Sequence, residues 1–489
     1  MAERLVIAGG LVLTGPDWVP AYRDLLIDGG LITSIDVPGA FDSVDALRHD
    51  ASGRLVIPGM INAHTHSHTL PFRGVARDWT LETSLLHGGW MGGDRSEELA
   101  ELCAVMAATE MIASGATGAF DLVSQAGGPQ VPQLLAVARG YERVGLRAVI
   151  APMVADRSVH EAVPVIRECC GVPPSGADAA SVLASCRSFV ESLDAGPLVS
   201  AAVAPTIPAH CSSSLITGLY DLAVEHGLRV HLHLAESQPQ ALAGAERFGH
   251  SITAELARLG VLDDRLTAAH AIWLDSADRA MLADAGAVAV AVPGSNLRLG
   301  SGAADVRAAL DAGVTLAIGT DGANSADALD ILDAARLTAL VGRTFARSAA
   351  QWPTVEEVLD AATVGGAAAC GWSDLGLLAP GYAADLVLLD LGARGFVPLN
   401  DPANQLLTAT RAADVTDVMI AGRWVYADRR FWHLDLDATT DRFTELVAEL
   451  HELLEPVRVG AAAEAALAAA PLGALRRPAR HLLQGGLHD

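Results

Sequence analysis

The stretch VIPGMINAHTHSHTL, Val56 to Leu70, places three histidines at alternating positions behind an apolar run. In a β-strand, residues two apart face the same side. Read as a strand, VIPGMINAHTH points His64 and His66 together, and two imidazoles on one face can hold one metal ion. A solvated histidine loop is the plainer account of the same letters, and the stretch alone does not choose. His68 continues the alternation but is expected past the strand's end, in the loop.

Seven further short apolar runs follow, with helical patterns between them. They are ATGAFDL (116–122), LRAVIAPMV (146–154), LVSAAVAP (198–205), LRVHLHL (228–234), LTAAHA (266–271), AVAVAVP (287–293) and VTLAIGTD (314–321). Eight strand–helix units over about 300 residues predict an α/β fold, a (β/α)8 TIM-like barrel. A doubly wound open sheet is the competing architecture, but no Gly-rich dinucleotide loop follows the first strand. The flanks have another pattern. LVIAGGLVLTG and RDLLIDGGLITSID before the barrel, and DLVLLDL and VTDVMIAGRWVYADRR after it, read as short strands with Gly turns. They predict one small β-sandwich built from both ends. The expected division is 1–57 and 373–432 for the sandwich, 58–372 for the barrel, and 433–489 for a helical tail with mobile last residues.

Composition narrows the partners. A formal net charge of −25 leaves no basic stripe to neutralise phosphates, so nucleic acid is not expected. All 33 basic residues are Arg, which removes any lysine catalyst, Schiff base or carboxylated lysine bridging two metals. None of the six cysteines forms a C-x-x-C, and the adjacent pair Cys169–Cys170 is poorly placed for an ordinary disulfide. Reduced residues in a cytoplasmic protein are the expectation. The N-terminal MAERLVIAGGLVLTG breaks at Gly9–Gly10 and is read as sheet, not as a signal peptide. No apolar segment is read as long and unbroken enough to span a membrane.

Active sites of this architecture sit at the C-terminal strand ends. There the first strand offers His64 and His66, the fifth His231 and His233 with Glu236 just beyond, the sixth His270, and the eighth Asp321. Each has a dull explanation: a strand His is commonly a hydrogen-bonded core residue, and T-D-G is commonly a turn whose Asp caps a helix. Together they place several imidazoles, one acidic ligand and one free carboxylate at one mouth. That suits a mononuclear Zn2+ or Fe2+ site with an open water position.

With these landmarks in place, the chain resembles the amidohydrolase superfamily. Within it the likeness is to the cytosine deaminase-like branch that includes guanine deaminase, methylthioadenosine/adenosylhomocysteine deaminase and the s-triazine hydrolases. The motifs are PGMINAHTH (58–66), HLHLAES (231–237), His270, PGSNLRLG (293–300), GTDGANS (319–325) and GLLAPGYAADLVLLD (376–390). The resemblance implies metal ligands His64, His66, His233 and Asp321, with Zn2+ first and Fe2+ second. Its H-x-x-E spacing selects His233 over His231, leaves His231 deeper in the barrel, and makes Glu236 the acid/base carboxylate. A metal lowers the pKa of a bound water to near 7. Asp321 is then expected to take the water proton, His270 to orient the nucleophile and steady the oxyanion, and Glu236 to shuttle a proton to a ring nitrogen.

The reaction expected is hydrolytic deamination of an aromatic N-heterocycle of purine, pterin, pyrimidine or triazine type. Substrate contacts are sought in the loop after the first strand, at Arg73, Trp79, Glu82, His87 and Trp90, and at His210 after the fourth. A structural lid explains the aromatic residues equally well, and a capping loop explains His210. Ser295 and Asn296 are expected to hold the seventh-strand loop. The same site serves loss of chloride or alkylamine and opening of a cyclic amide. A catalytically silent binding protein or scaffold is the alternative of a different class. A homodimer or larger homo-oligomer is a family-level expectation.

Overall fold

The computed structural model describes residues 4–93, 95–125, 127–171, 178–194, 196–346 and 348–476. The expected mobile end beyond residue 476 lies outside the described residues. The N-terminal flank forms β1 (Leu5–Val12), β2 (Ala21–Asp28), β3 (Leu31–Asp36), β4 (Leu47–Asp50) and β5 (Arg54–Pro58). The C-terminal flank forms β16 (Leu386–Asp390), β17 (Val415–Ile420) and β18 (Arg423–Tyr426), and the two flanks share one sheet. Its order is β18-β17-β16-β5-β1-β2-β3, with β4 beside β1 and β16 antiparallel to β5. Alternation buries Ile7, Leu25, Ile27, Val56, Leu386, Leu388 and Met419 in one cluster. The sheet is tied down by Arg147, whose fork donates to both oxygens of buried Asp385 at 2.8 and 3.0 Å.

The opening stretch makes two strands rather than one. β5 ends at Pro58 in the flank sheet, and β6 (Met60–His66) begins in a parallel one. Gly59 between them sits so close to Thr117 that a Cβ would lie 2.0 Å from its Oγ1, so only glycine fits the crossing. The parallel strands are then β7 (Ala116–Val123), β8 (Arg147–Val154), β9 (Val199–Ala201), β10 (Ala204–Pro205), β11 (Val230–Leu234), β12 (Leu266–His270), β13 (Val288–Ala291), β14 (Thr315–Ile318) and β15 (Asp321–Gly322). One sheet runs β10-β8-β7-β6-β15 with β9 beside β8, and the other runs β11-β12-β13-β14. They meet on both sides. A parallel bridge joins Val203 to Val230, and the Thr320 N–H, just past β14, donates to the His64 carbonyl of β6 at 3.1 Å.

These strands occupy the eight runs read from the sequence, with the first, fourth and eighth runs broken. The eighth breaks where Gly319 passes against His64, 2.7 Å from its Cβ for any added methyl. Asn62 then catches the displaced Thr320, accepting from its N–H at 3.0 Å and donating to its hydroxyl at 2.8 Å. The break swings Asp321 beside Thr65, opposite the metal-competent histidines.

One expectation is corrected. The helix Leu436–Leu475 is, by length and composition, apolar enough to cross a membrane. Its alanine-rich second half conceals this, because alanine carries little apolar surface per residue. The helix nevertheless packs on the protein through Leu446, Leu450 and Leu454 on one stretch and Ala465, Ala468 and Leu472 on the next.

Candidate metal centre and active site

Strand ends deliver the site. β6 presents His64 and His66, β11 His233, β12 His270, and β15 Asp321; all are buried. Period-two geometry explains the pair on β6. It does not explain His270 and Asp321, which sit at φ +68° and +70° in the left-handed region that non-glycine residues rarely adopt. Ala235, just before Glu236, is left-handed as well, at +46°. Such backbone clusters at functional sites because surrounding structure must hold it there.

The hydrogen bonds fix which nitrogen of each ring faces inward. His66 Nδ1 donates to the Leu122 carbonyl at 2.7 Å, and His233 Nδ1 donates to the Thr206 carbonyl at 2.6 Å. A carbonyl only accepts, so each Nε2 is left with a lone pair. These two nitrogens face each other 3.3 Å apart. Two lone pairs in contact repel unless a cation lies between them. Tetrahedral ligands at about 2.0–2.1 Å from a zinc ion are themselves about 3.3 Å apart.

Asp321 Oδ1 stands 3.2 Å from His66 Nε2 and 3.9 Å from His64 Nε2. The His64 and His270 Nε2 atoms are buried without a hydrogen-bond partner among the described residues. His64, His66 and Asp321 form one group able to hold a metal, and His64, His233 and His270 form another. His231 lies behind, its Nε2 3.1 Å from His64 Nδ1. The donor set fits a small divalent cation.

Electrostatics agrees with neutral imidazoles around an ionised carboxylate. Burial and the neighbouring rings push His64, His231 and His233 down, and burial does the same to His270. Burial pushes Asp321 up, but His66, His270, Ser295 and His233 more than offset it, and the net direction is down. Glu236 goes the other way: burial, then the charges of Asp321 and Glu82, hold it well above the usual carboxylate range. The Glu236 carboxyl stands 3.5 Å from His270 Nε2, and His270 is oriented by donating from Nδ1 to Asn296 Oδ1 at 2.8 Å.

The substrate-contact candidates separate. Glu82 is buried and accepts from the hydroxyl of Ser237, next to Glu236. Trp79 stacks on His87 with ring centres 4.0 Å apart, and His87 accepts from Trp90 Nε1 at 3.0 Å. Trp90 packs edge-on against Phe72 under the C-terminal helix. Arg73 is not brought to the site. The turn Ser67–Phe72 ends just before it, and its exposed guanidinium pairs with Glu110 on the outside. His68 lies within that turn, buried, its ring centre 5.6 Å from that of His66.

His210 is buried on the turn Pro208–His210. Burial, then Arg157 and Arg247, bring it down to about 4. An imidazole kept neutral in the fold gains its proton first in the unfolded chain, so folding weakens as pH falls from about 6.5 to about 4, where the loss levels off. The shift corresponds to about 3 kcal/mol. His210→Gln should therefore flatten urea-unfolding stability across that window relative to the parent. An unchanged pH slope would show His210 free to protonate in the fold.

Residues the sequence did not mark include Ser237 and Arg476. The Ser237 hydroxyl accepts from the Gln240 N–H as a helix cap, legible from the proline that follows, but its bond to Glu82 spans 155 positions.

Comparison with known proteins agrees with this geometry. The model of the amidohydrolase family matches residues 55–425. A 5-methylthioadenosine/S-adenosylhomocysteine deaminase of Pyrococcus furiosus is 31% identical over 450 residues, 91% of this chain and all of that protein. A 5′-deoxyadenosine deaminase of Methanopyrus kandleri is 29% identical, covering 91% of this chain and 99% of its own length. Among solved structures, an adenosine deaminase from Xanthomonas campestris with bound zinc superposes with TM-score 0.79 at 27% identity, covering 92% of this chain and 98% of its own. The zinc complex of atrazine chlorohydrolase from Arthrobacter aurescens gives TM-score 0.82 at 25% identity, covering 91% and 100%. A TIM-barrel fold is what these neighbours imply for the parallel sheets described above. By sequence and by structure, the chain belongs to the amidohydrolase family.

Proposed function

We propose that this chain is a metal-dependent aminohydrolase that converts an amino-substituted aromatic N-heterocycle to the corresponding oxo compound and ammonia, with adenine nucleosides as its first substrate class. The observation that carries the reading is the pair of Nε2 lone pairs of His66 and His233, 3.3 Å apart, with the buried Glu236 carboxyl 3.5 Å from His270 Nε2. His64, His66, His233 and Asp321 would hold one divalent metal, zinc before iron. Such a metal supplies an acidified water at neutral pH.

The side chains carry the remaining protons. Glu236 gives its proton to the ring nitrogen beside the reacting carbon, which makes that carbon electrophilic. Asp321 takes one proton from the attacking water and passes it to the amino group, which leaves as ammonia. The second water proton returns to Glu236 as the carbonyl forms, so one water is consumed and every residue ends as it began. His270, fixed by Asn296, steadies the oxygen during addition. Glu82, buried and bonded to Ser237 next to Glu236, would accept from the substrate. The neighbour atrazine chlorohydrolase favours a second reading, in which another leaving group departs from the same site.

The two parallel sheets are read as one closed (β/α)8 barrel, supported by their contacts on both sides, with the flank sheet as a separate small domain. The divisions 1–57, 58–372, 373–432 and 433–489 follow. A reducing cytoplasm is supported by six unpaired cysteines. A homo-oligomer is supported by the exposed Leu453 and Val457, neighbours one turn apart on the C-terminal helix.

The test is ammonia release by zinc-loaded protein across 5′-methylthioadenosine, S-adenosylhomocysteine, 5′-deoxyadenosine, aminopurines, aminopterins, cytosines and amino-s-triazines. Release is expected with the adenine nucleosides. Release of chloride or alkylamine without ammonia would replace deamination by the second reading.

A further inference from the structure

The chemistry above makes no use of the helix Leu436–Leu475, yet that helix lies along the active-site loops. Its first half covers the first-strand loop. Leu446, Leu450 and Leu454 pack with Phe72, Trp90 and Met91, and His451 Nε2 donates to the Pro71 carbonyl at 2.9 Å. Pro456 and Pro471 lie inside the helix. Each removes an N–H and frees a carbonyl, which allows a long helix to bend around the mouth it follows. Beyond Pro456, Ala465, Ala468 and Leu472 pack with Leu86, Ile207 and Ala209.

Arg476 caps the far end and turns inward. Its Nη2 donates to Glu82 Oε2 at 3.0 Å, and its Nη1 donates to the Gly300 carbonyl at 3.1 Å. Glu82 Oε1 accepts from Ser237, and Thr80 Oγ1 lies 3.3 Å from Oε2. The guanidinium thus joins the loops after the first and seventh strands, and the Glu82 carboxylate carries the link on to the fifth-strand loop through Ser237. A carboxylate has about four lone-pair sites. Three are occupied here, and one is left for a substrate donor. The planar fork of arginine bonds the carboxylate and the carbonyl together, whereas the point charge of lysine serves chiefly one of them.

We propose that Arg476 is a positioning residue for substrate binding. It holds the buried Glu82 carboxylate as an acceptor for hydroxyl or N–H donors on the substituent that the heterocycle carries. The C-terminal helix thereby selects donor-bearing heterocycles, nucleosides above all, over bare rings. This rests on the deaminase reading for its substrate class.

The experiment compares R476A and R476K with the parent as zinc-loaded full chains, on 5′-methylthioadenosine and on adenine. A hydrogen bond to a charged group is worth a factor of about 10–100 in affinity. R476A should raise KM for the nucleoside about tenfold while kcat falls less than about threefold, and R476K should recover part of the loss. KM for the bare ring should move less than about threefold. Equal losses on both substrates, or no recovery in R476K, would overturn the proposal and leave a purely structural strap. A second measurement is independent of turnover: nucleoside binding to E236Q against E236Q/R476A by calorimetry. A tenfold weaker Kd in the double variant supports the proposal even where no ammonia is released from any heterocycle. Unchanged Kd, or no binding to E236Q at all, overturns it.

Discussion

Glu236→Gln is expected to lower kcat by about 1,000-fold while leaving one metal per chain and a near-parental KM. The glutamine amide keeps the shape of the carboxyl and carries no charge, matching the neutral form that burial favours at Glu236. It can still donate a hydrogen bond to a ring nitrogen, but it cannot release a proton to it. A loss of about 1,000-fold corresponds to about 4 kcal/mol of transition-state stabilisation. The measurement is steady-state ammonia release with metal content determined on the same sample. Turnover within about tenfold of the parent would remove Glu236 from the proton path, because positioned general acids contribute at least about 100-fold. Loss of metal in E236Q would assign the carboxyl a structural part instead.

The roles that follow from local periodicity were legible in the sequence. His64 and His66 share a face because strands repeat every two residues; the same period puts His231 and His233 together, and only the resemblance, through its H-x-x-E spacing, singles out His233 with Glu236. The eight apolar runs needed only the alternation of strand and helix lengths. What the sequence withheld depends on distant parts of the chain. The break of the eighth strand is set by Gly319 meeting His64, 255 positions earlier, and no local pattern encodes that approach. His and Asp visit the left-handed region more often than most non-glycine residues but still rarely, so propensity could not place it at His270 and Asp321 in particular. Arg73 has the chemistry and the loop position of a substrate contact, but a six-residue turn decides where it points, and that is outward to Glu110. Trp79, His87 and Trp90 lie together, yet stacking and burial against the C-terminal helix account for them without a substrate. Glu82 differs because its partners are the polar groups of Ser237 and Arg476.

His66→Ala tests the metal itself, and with it the alternating histidines of the first strand. It removes one of the two nitrogens that face each other, so the site keeps His64, His233 and Asp321 but loses the 3.3 Å pair. Metal-free parent protein should gain about 2.7 kcal/mol on zinc addition at 100 times Kd, read as a rise in Tm. His66→Ala should show no such gain at the same zinc concentration, with zinc well below one per chain and turnover undetectable. His68→Ala serves as the paired control, because His68 has left the strand for the following turn and should keep one zinc per chain. If His66→Ala retained stoichiometric zinc, the ligand set would have to be rebuilt around His64, His233 and His270, the other group able to hold a metal. If it lost zinc and still released ammonia, the chemistry would belong to the carboxyls alone, and the facing lone pairs would need another explanation. The two substitutions fall on successive histidines of one alternating run, so their contrast isolates the periodicity from which the site was read.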